Sequence, residues 1–391
     1  MATMYEKAKA IKQKLVELRR AIHQNPETSF EEFKTAELVA RTLADIGVEA
    51  QTGVGKTGVV AYIGDGDGPI IAIRADMDAL PITEANDVPY KSQVPGKMHA
   101  CGHDAHTAIL LGAAMLLSKE NINGQIRLLF QPSEEARDKE GKSGATRMMD
   151  DGALKDVKHA IALHVNGAID AGQIAVKAGK NSAASDRFHA TIHGTGGHAA
   201  APHRGTDPLW MMTHVLNAMY AIPSRRIDAH EPSILTIGVV RGGTVGNVIP
   251  ASVYIEGTMR SKDDTVREQL IAEVKNCLEL VKPFGGHYDL EIENGYPSMI
   301  NDEGVCQVIE NAARDLLGEN GLGTSIATMG GEDFSYMTRQ ASGAMFSLGT
   351  RVPGTPSRYV HTPIFDIDED SLPVGAAVLA EAAMRLLKNR D

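Results

Sequence analysis

Apolar positions follow two different rhythms along this chain. Ile11, Leu15, Leu18 and Ile22 recur at spacings of four, three and four, which lays one apolar stripe along a first helix. Ser29 and Glu32 fit a capping box that opens a second helix, and Gly47 stops it. Beyond it the period changes. Residues 59–63, 70–74, 125–130 and 159–164 are short β-rich runs with Gly, Pro or Asp nearby, and helical stretches at 107–117 and 144–150 lie between some of them. Strands alternating with helices predict an α/β sheet that is at least partly parallel.

The middle of the chain reads differently. Residues 187–193 form a strand, and a helix follows with Thr206 or Asp207 as cap and Pro208 in its first turn. Then come strands at 233–241 and 252–260, a helix at 263–281 and a strand at 287–293. The order β-α-β-β-α-β is the ferredoxin-like split unit. After Pro297 the α/β texture returns, with helices near 302–317 and 369–387. The expected organisation is one α/β domain built from residues 1–182 and 299–391, interrupted by an inserted domain at 183–298.

Composition narrows the function. The 391 residues are 43% hydrophobic and 23% charged, the balance of a folded globular protein. Net charge is −11 and no Lys/Arg-rich block occurs, which argues against nucleic acid or an anionic membrane as partner. Cys101, Cys277 and Cys306 are odd in number and far apart, so no disulfide framework is implied and a reducing compartment is favoured. Cys277 and Cys306 fall on helices and read as small buried apolar residues. Trp210 and the methionines around it read as core of the inserted domain. Residues 1–32 carry charges every few positions without an apolar signal-like core. The most apolar run, 108–117, is about half the roughly 20 residues that span a membrane. The expectation is a cytoplasmic protein.

Candidate chemistry lies at strand ends. His-Ala-Cys-Gly-His-Asp-Ala-His, 99–106, gathers three of the 14 histidines and one of the three cysteines. Thiolate and imidazole are preferred ligands of Zn²⁺ and its neighbours. The same stretch also reads as a helix start capped by Asp104, its histidines solvated. Glu134 and Glu135 follow the apolar run 125–130, where sites of open α/β sheets gather. Taken alone they equally fit an exposed acidic turn running into Arg137, Asp138, Lys139 and Glu140. Asp76 and Asp78 follow the run 70–74, His164 ends another, and His361 falls in a loop after a strand at 345–348. Asp76 and Asp78 read as orienters of ligand histidines or as caps of the turn at Pro81. Convergence of Cys101, His103, Glu134, Glu135 and His164 on strand-end loops of one sheet points to one cluster. Adding His361 and counting one glutamate gives five ligands, too many for one tetrahedral ion that keeps a water position open. Two ions sharing a bridging ligand, roughly 3.5–4 Å apart, fit better, with the other glutamate as general base.

Eight motifs now stand in order: 74–81 (RADMDALP), 100–106 (ACGHDAH), 131–135 (QPSEE), 162–164 (ALH), 196–200 (GGHAA), 246–250 (GNVIP), 330–334 (GGEDF) and 361–363 (HTP). Together they resemble the dinuclear metal amidohydrolases that include bacterial aminoacylases, hippurate hydrolase, N-acetyldiaminopimelate deacetylase and plant auxin-conjugate hydrolases. The likeness runs from about His23 to Leu387. It implies a catalytic α/β domain with a zinc-peptidase-like central sheet and an inserted ferredoxin-like (βαββαβ) lid that pairs with a second subunit, giving a homodimer or dimer of dimers. It implies Cys101 as bridging ligand, His103 and His164 completing one metal, Glu135 and His361 the other, and Glu134 as general base. It also implies that His198 reaches a neighbouring subunit's site and that Asn247 and Arg260 contact a substrate carboxylate. From the residues alone, His198 equally caps a turn, Asn247 occupies one, and Arg260 is a solvated charge. Two departures stand out: Gly194-Thr195-Gly196-Gly197 lacks the basic residue common in the lid motif, and 136–143 is more charged than the usual Gly-rich turn.

The function implied is hydrolysis of the amide bond of an N-acyl-L-amino acid by water activated on two divalent ions (Zn²⁺, Mn²⁺, Co²⁺ or Ni²⁺). The alternatives are a metallo-carboxypeptidase or dipeptidase on the same site, and a non-catalytic binder of acylated amino acids. Glu332 and Asp333, which follow two glycines, are left without a role.

Overall fold

Gln125–Gln131, Ile70–Asp76, Val157–Asp170 and Ser342–Arg351 lie side by side, mutually parallel, at the centre of a seven-stranded sheet. Near-continuous burial along Ile70–Asp76 and Gln125–Gln131 explains their central place, since parallel strands are covered on both faces. Antiparallel strands close the edges: Gly58–Ile63 and Ala50–Val54 on one side, Ile174–Ala175 on the other. The computed structural model describes residues 2–325, 328–352 and 354–388. The chain forms two compact units, one of Met1–Gly179, Ile300–Ile326 and Tyr336–Asp391, the other of Lys180–Met299 and Ala327–Ser335.

The mixed α/β sheet predicted by the alternating rhythm forms in the first unit. Every residue of the helix His103–Leu117 is buried, and a helix apolar on all sides belongs inside a core. It packs against Lys12–Gln24 and Leu372–Lys388. Ala50–Val54 carries no apolar alternation in its sequence, and three of its five residues are exposed. Ser29 and Glu32 do not make a capping box. The helix starts at Phe33, and the Glu27 carboxylate, not Ser29 or Glu32, accepts from its first-turn N–H groups at Lys34 and Thr35, at 3.1 and 2.9 Å. Ser29 donates its hydroxyl to Asp78 at 2.7 Å, while buried Glu32 accepts from the N–H groups of Phe30 and Ser133, both at 2.9 Å, and from the Thr57 hydroxyl. Tertiary partners draw both side chains away from the local cap.

In the second unit the elements run Ala184–His193, Pro208–Arg225, Ser233–Gly242, Ser252–Ser261, Asp264–Leu278 and His287–Glu293. The four long strands form an antiparallel sheet in the order Ser233–Gly242, Ser252–Ser261, Ala184–His193, His287–Glu293. Both helices cover one face, where Phe188, Ile192, Met211, Val215, Ile255 and Val274 are buried together. Trp210 departs from the expectation. It is 50% exposed, lying over Phe284 and His214, while its neighbours Met211 and Met212 fill the core. Among the described residues no helix is long and apolar enough to cross a membrane.

The helix Lys12–Gln24 is anchored by charge as well as by its apolar stripe. His23 is buried, with Nδ1 2.8 Å from Asp104 and Nε2 3.3 Å from Glu84. Burial opposes the imidazolium, but Asp104 and Glu84 outweigh it and push its pKa up to about 8. The folded state therefore holds this proton more tightly than the unfolded chain, whose histidines titrate near about 6.5. The resulting stabilisation, on the order of 2 kcal/mol, is full below that pH and disappears as pH rises through about 8. Urea midpoints of the chelated protein are expected to fall between about pH 6.5 and 8.5, and His23→Gln is expected to flatten that slope. Parallel slopes in the two proteins would contradict this role of His23.

Candidate metal centre

Local backbone geometry delivers each side chain. Gly102 sits at φ +90°, and a Cβ there would come within 2.3 Å of the Val165 side chain. Only glycine turns the chain so sharply between Cys101 and His103. Beyond the strand Gln125–Gln131 the chain turns through Pro132 and Ser133, the latter at φ +46°. Gly144 allows that turn, since a Cβ at 144 would stand 1.5 Å from the Pro132 carbonyl oxygen. His164 lies within Val157–Asp170. His361 occupies a turn at φ +64°, where its N–H donates to the Ala100 carbonyl at 2.7 Å. A non-glycine residue held in the left-handed region is strained, and such strain gathers at functional positions.

The expectation that all of these residues sit in strand-end loops is corrected, since His103 opens a helix and His164 lies inside a strand, yet six of the candidate residues come together. The ligand-capable atoms of Cys101, His103 and His164 all lie within 4.8 Å of one another, as do those of Cys101, Glu135 and His361, and those of His103, Glu134 and Glu135. Cys101 belongs to both of the first two triads. Its Sγ is 3.5 Å from His164 Nε2, and Glu135 Oε1 is 3.2 Å from His361 Nε2 and 4.0 Å from His103 Nε2. The imidazoles are oriented from behind. His164 Nδ1 is 2.8 Å from the Val165 carbonyl, and His103 Nδ1 lies 2.9 Å from the Asp78 carbonyl and 3.2 Å from its carboxylate. Donation from Nδ1 turns each Nε2 toward the cluster, where its lone pair is offered once the ring gives up its second proton.

The electrostatics fit cations. Burial, then the charges of Glu135, Glu134 and Asp76, push the Cys101 thiol well above its ordinary range. Burial opposes a proton on His103, yet Asp76, Asp78 and Glu135 push its pKa up to about 10. Both trends report an excess of negative charge around one buried point. Among the described residues, buried His103 Nε2 has no hydrogen-bond partner. An imidazole, a thiol and two carboxylates facing one another form a mixed S, N, O donor set suited to Zn²⁺, Mn²⁺, Co²⁺ or Ni²⁺, and a bound cation favours the thiolate and the neutral imidazole.

Comparison with known proteins agrees with this geometry. Residues 72–385 match the family model described as Peptidase family M20/M25/M40. The chain belongs to that family. Thermostable carboxypeptidase 2 of Saccharolobus solfataricus is 38% identical over 384 residues, covering 96% of each chain. N-acetyl-L-cysteine deacetylase of Bacillus subtilis is 38% identical over 385 residues, covering 97% of this chain and 90% of that one. The solved YxeP protein of Bacillus subtilis, described as a dinuclear metal-binding peptidase from the M20 family, superposes with a TM-score of 0.84. It is 33% identical and covers 97% of this chain and 99% of its own. As an M20-family member the chain is a metal-binding hydrolase of the amide and peptide class.

Within this M20 chain, the other candidates lie in the second unit. His198 and Asn247 are neighbours on a two-stranded ribbon: Val248 pairs with His198, and the Ala199 N–H donates to the Asn247 carbonyl at 3.2 Å. His198 Nδ1 accepts from the Ala200 N–H at 3.0 Å, so its ring proton sits on exposed Nε2. Thr195, where a basic residue is usual, exchanges two 2.8 Å bonds with Thr206. Arg260 is not brought to that ribbon. It sits near the far end of Ser252–Ser261, eight residues beyond the Ser252 that pairs with His193. That is roughly 26 Å of extended strand.

Several supporting residues were not assigned from sequence. His106 Nδ1 is 2.6 Å from Asp76, and its Nε2 accepts from the Val165 N–H at 2.9 Å, fixing the backbone beside His164. His99 is buried, and burial lowers its pKa to about 3, so it stays neutral. Glu332 and Asp333 are buried in the second unit, with Glu332 capping the Phe334 N–H at 2.9 Å. Asp78, read from the sequence as an orienter of ligand histidines or a cap of the turn at Pro81, is the main organiser. It accepts from the N–H groups of both Glu134 and Glu135 at 3.0 Å, besides holding His103. Asp78→Asn removes charge and one acceptor from this set and is expected to weaken metal affinity by about 10–100-fold. Equilibrium dialysis with elemental analysis checks this, and wild-type affinity in the variant would remove Asp78 from the role.

Proposed function

We propose that this chain hydrolyses the amide bond of N-acyl-L-amino acids. The observation that carries the reading is the pair of donor triads sharing Cys101, with Glu134 left over beside them. In this reading Cys101, His103 and His164 hold one divalent cation, and Cys101, Glu135 and His361 hold the other. The bound pair supplies Lewis-acid chemistry that makes water nucleophilic and polarises an amide carbonyl.

The remaining steps belong to protein groups. Glu134 is buried, with its backbone anchored on Asp78, so its carboxylate accepts a proton from the attacking water and returns it to the departing amine. His198 presents Nε2–H as a donor to the developing oxyanion, a bond worth a few kcal/mol in a transition state. Arg260 supplies the carboxylate contact. It is half-buried, no carboxylate is within ion-pair distance among the described residues, and burial together with Arg187 lowers its pKa. A partly desolvated, unpaired guanidinium suits a bidentate carboxylate ligand. Asn247 joins His198 on the ribbon as a second contact. Because Arg260 and the ribbon lie at opposite ends of the second unit's sheet, one site draws Arg260 from one chain and His198 with Asn247 from another. That favours a homodimer, alone or paired into a tetramer, through the lid formed by residues 183–298. The acidic chain and its cysteine usage favour cytoplasmic residence.

A metallo-carboxypeptidase is the second reading, favoured by the carboxypeptidase among equally similar relatives. Metal-reconstituted protein is expected to cleave N-acetyl, N-benzoyl or N-indoleacetyl amino acids with higher kcat/KM than dipeptides, and to lose activity on chelation. A reversed ratio selects the carboxypeptidase or dipeptidase. Glu134→Gln is expected to lower kcat at least about a hundredfold while metal content stays near two per chain. Retained turnover would remove Glu134 as the base.

A further inference from the structure

We infer that Arg19 is a positioning residue for the metal pair: its buried guanidinium braces the turn carrying His361 against the helix start carrying His103, and so sets the Glu135–His361 position. The inference rests on the dinuclear reading above. Arg19 is fully buried on the helix Lys12–Gln24, remote in sequence from every candidate ligand. Its Nε donates to Asp104 at 2.8 Å, and Asp104 directly follows His103 in the first turn of its helix. Its Nη2 donates to Asp366 at 3.0 Å, in the segment that follows His361, and its Nη1 to Glu369 at 3.3 Å, a carboxylate that Arg20 also holds at the start of the next short helical turn. One planar fork thus spans the two segments that carry the ligands.

The His361 turn needs such a brace. His361 belongs to no helix or strand, its side chain is 52% exposed, and its φ of +64° is strained, so neither packing nor a backbone ladder fixes it. What holds the turn is a short set of bonds. The His361 N–H donates to Ala100, the Ala85 N–H to Pro363 at 2.8 Å, Asn86 Nδ2 to Phe365 at 2.8 Å, and the Tyr90 hydroxyl to Asp366 at 2.9 Å. Tyr90 also lies against the Arg19 guanidinium, 4.8 Å from ring centre to Cζ. Within this set, Arg19 joins the turn directly to the helix of His103. Simple neutralisation of Asp104 is a weaker explanation, because His23 already shares that carboxylate and Arg19 engages two more. A lysine, with one compact charge, cannot span three carboxylates in one plane.

The test is stepwise titration of chelated protein with Zn²⁺, followed calorimetrically and by elemental analysis, on the wild type, Asp366→Asn and Arg19→Lys. Asp366→Asn keeps the Arg19–Asp104 pair intact and changes a side chain that is 12% exposed. The wild type is expected to bind two ions. Both variants are expected to take the first with wild-type affinity and the second at least tenfold more weakly, with circular dichroism unchanged. Tyr90→Phe, which removes one bond to Asp366, is expected to give a smaller loss in the same step, and carries the test if the other variants lack native dichroism. Unchanged affinities in a folded variant overturn the inference, as does equal weakening of both steps. A wild type that binds no ion overturns the dinuclear reading itself, so the two failures are distinct.

Discussion

One buried carboxylate organises the candidate centre. Asp78 accepts hydrogen bonds from the His103 imidazole, from the consecutive N–H groups of Glu134 and Glu135, and from the Ser29 hydroxyl. Burial favours protonation, but this set of donors holds Asp78 below the ordinary carboxylate range. Four donors on one anion tie together three segments far apart in sequence. Asp76, two residues earlier, does the same on its own side, pairing Arg74 at 2.6 Å and holding His106, which in turn holds the backbone next to His164. The end of one central strand thereby sets the positions of most of the donor groups.

The same arrangement leaves negative charge concentrated around Cys101. Burial, with the charges of Glu135 and Glu134, raises the thiol's pKa, while Asp76, Asp78 and Glu135 draw a proton onto His103. An apo centre built this way favours the protonation states that metal binding has to displace. Proton release on metal uptake and a metal affinity that rises with pH follow from this. In the second unit Arg260, with no ion-pair partner among the described residues, lies at the opposite end of the sheet from His198 and Asn247. The proposed chemistry is thus divided between a rigid, hydrogen-bonded acidic centre and separate groups for carboxylate and oxyanion.

Much of the fold was readable because burial imposes a period on the sequence. The central parallel strands are apolar runs, and the helix 107–117 was evident from its unbroken apolar texture, although its first turn, with His103 and Asp104, was not. What the sequence did not reveal depends on partners distant along the chain. Ser29 and Glu32 carry a local capping signature, yet Asp78, Thr57 and Ser133 claim their side chains. Histidines 99, 103 and 106 fall within one motif, but only tertiary contacts separate a neutral buried ring, a cluster member and a ring held by Asp76. Arg19 lies on an ordinary amphipathic helix, and nothing in its spacing indicates three carboxylate partners. Trp210 read as core because bulk and hydrophobicity do not reveal which face of a helix a residue occupies.

The most direct measurement of the central claim is anomalous X-ray scattering at the metal absorption edge from crystals of the reconstituted protein. The account predicts two peaks flanking the Cys101 sulfur, one beside His103 and His164 and one beside Glu135 and His361. A single peak, or peaks away from Cys101, would contradict it.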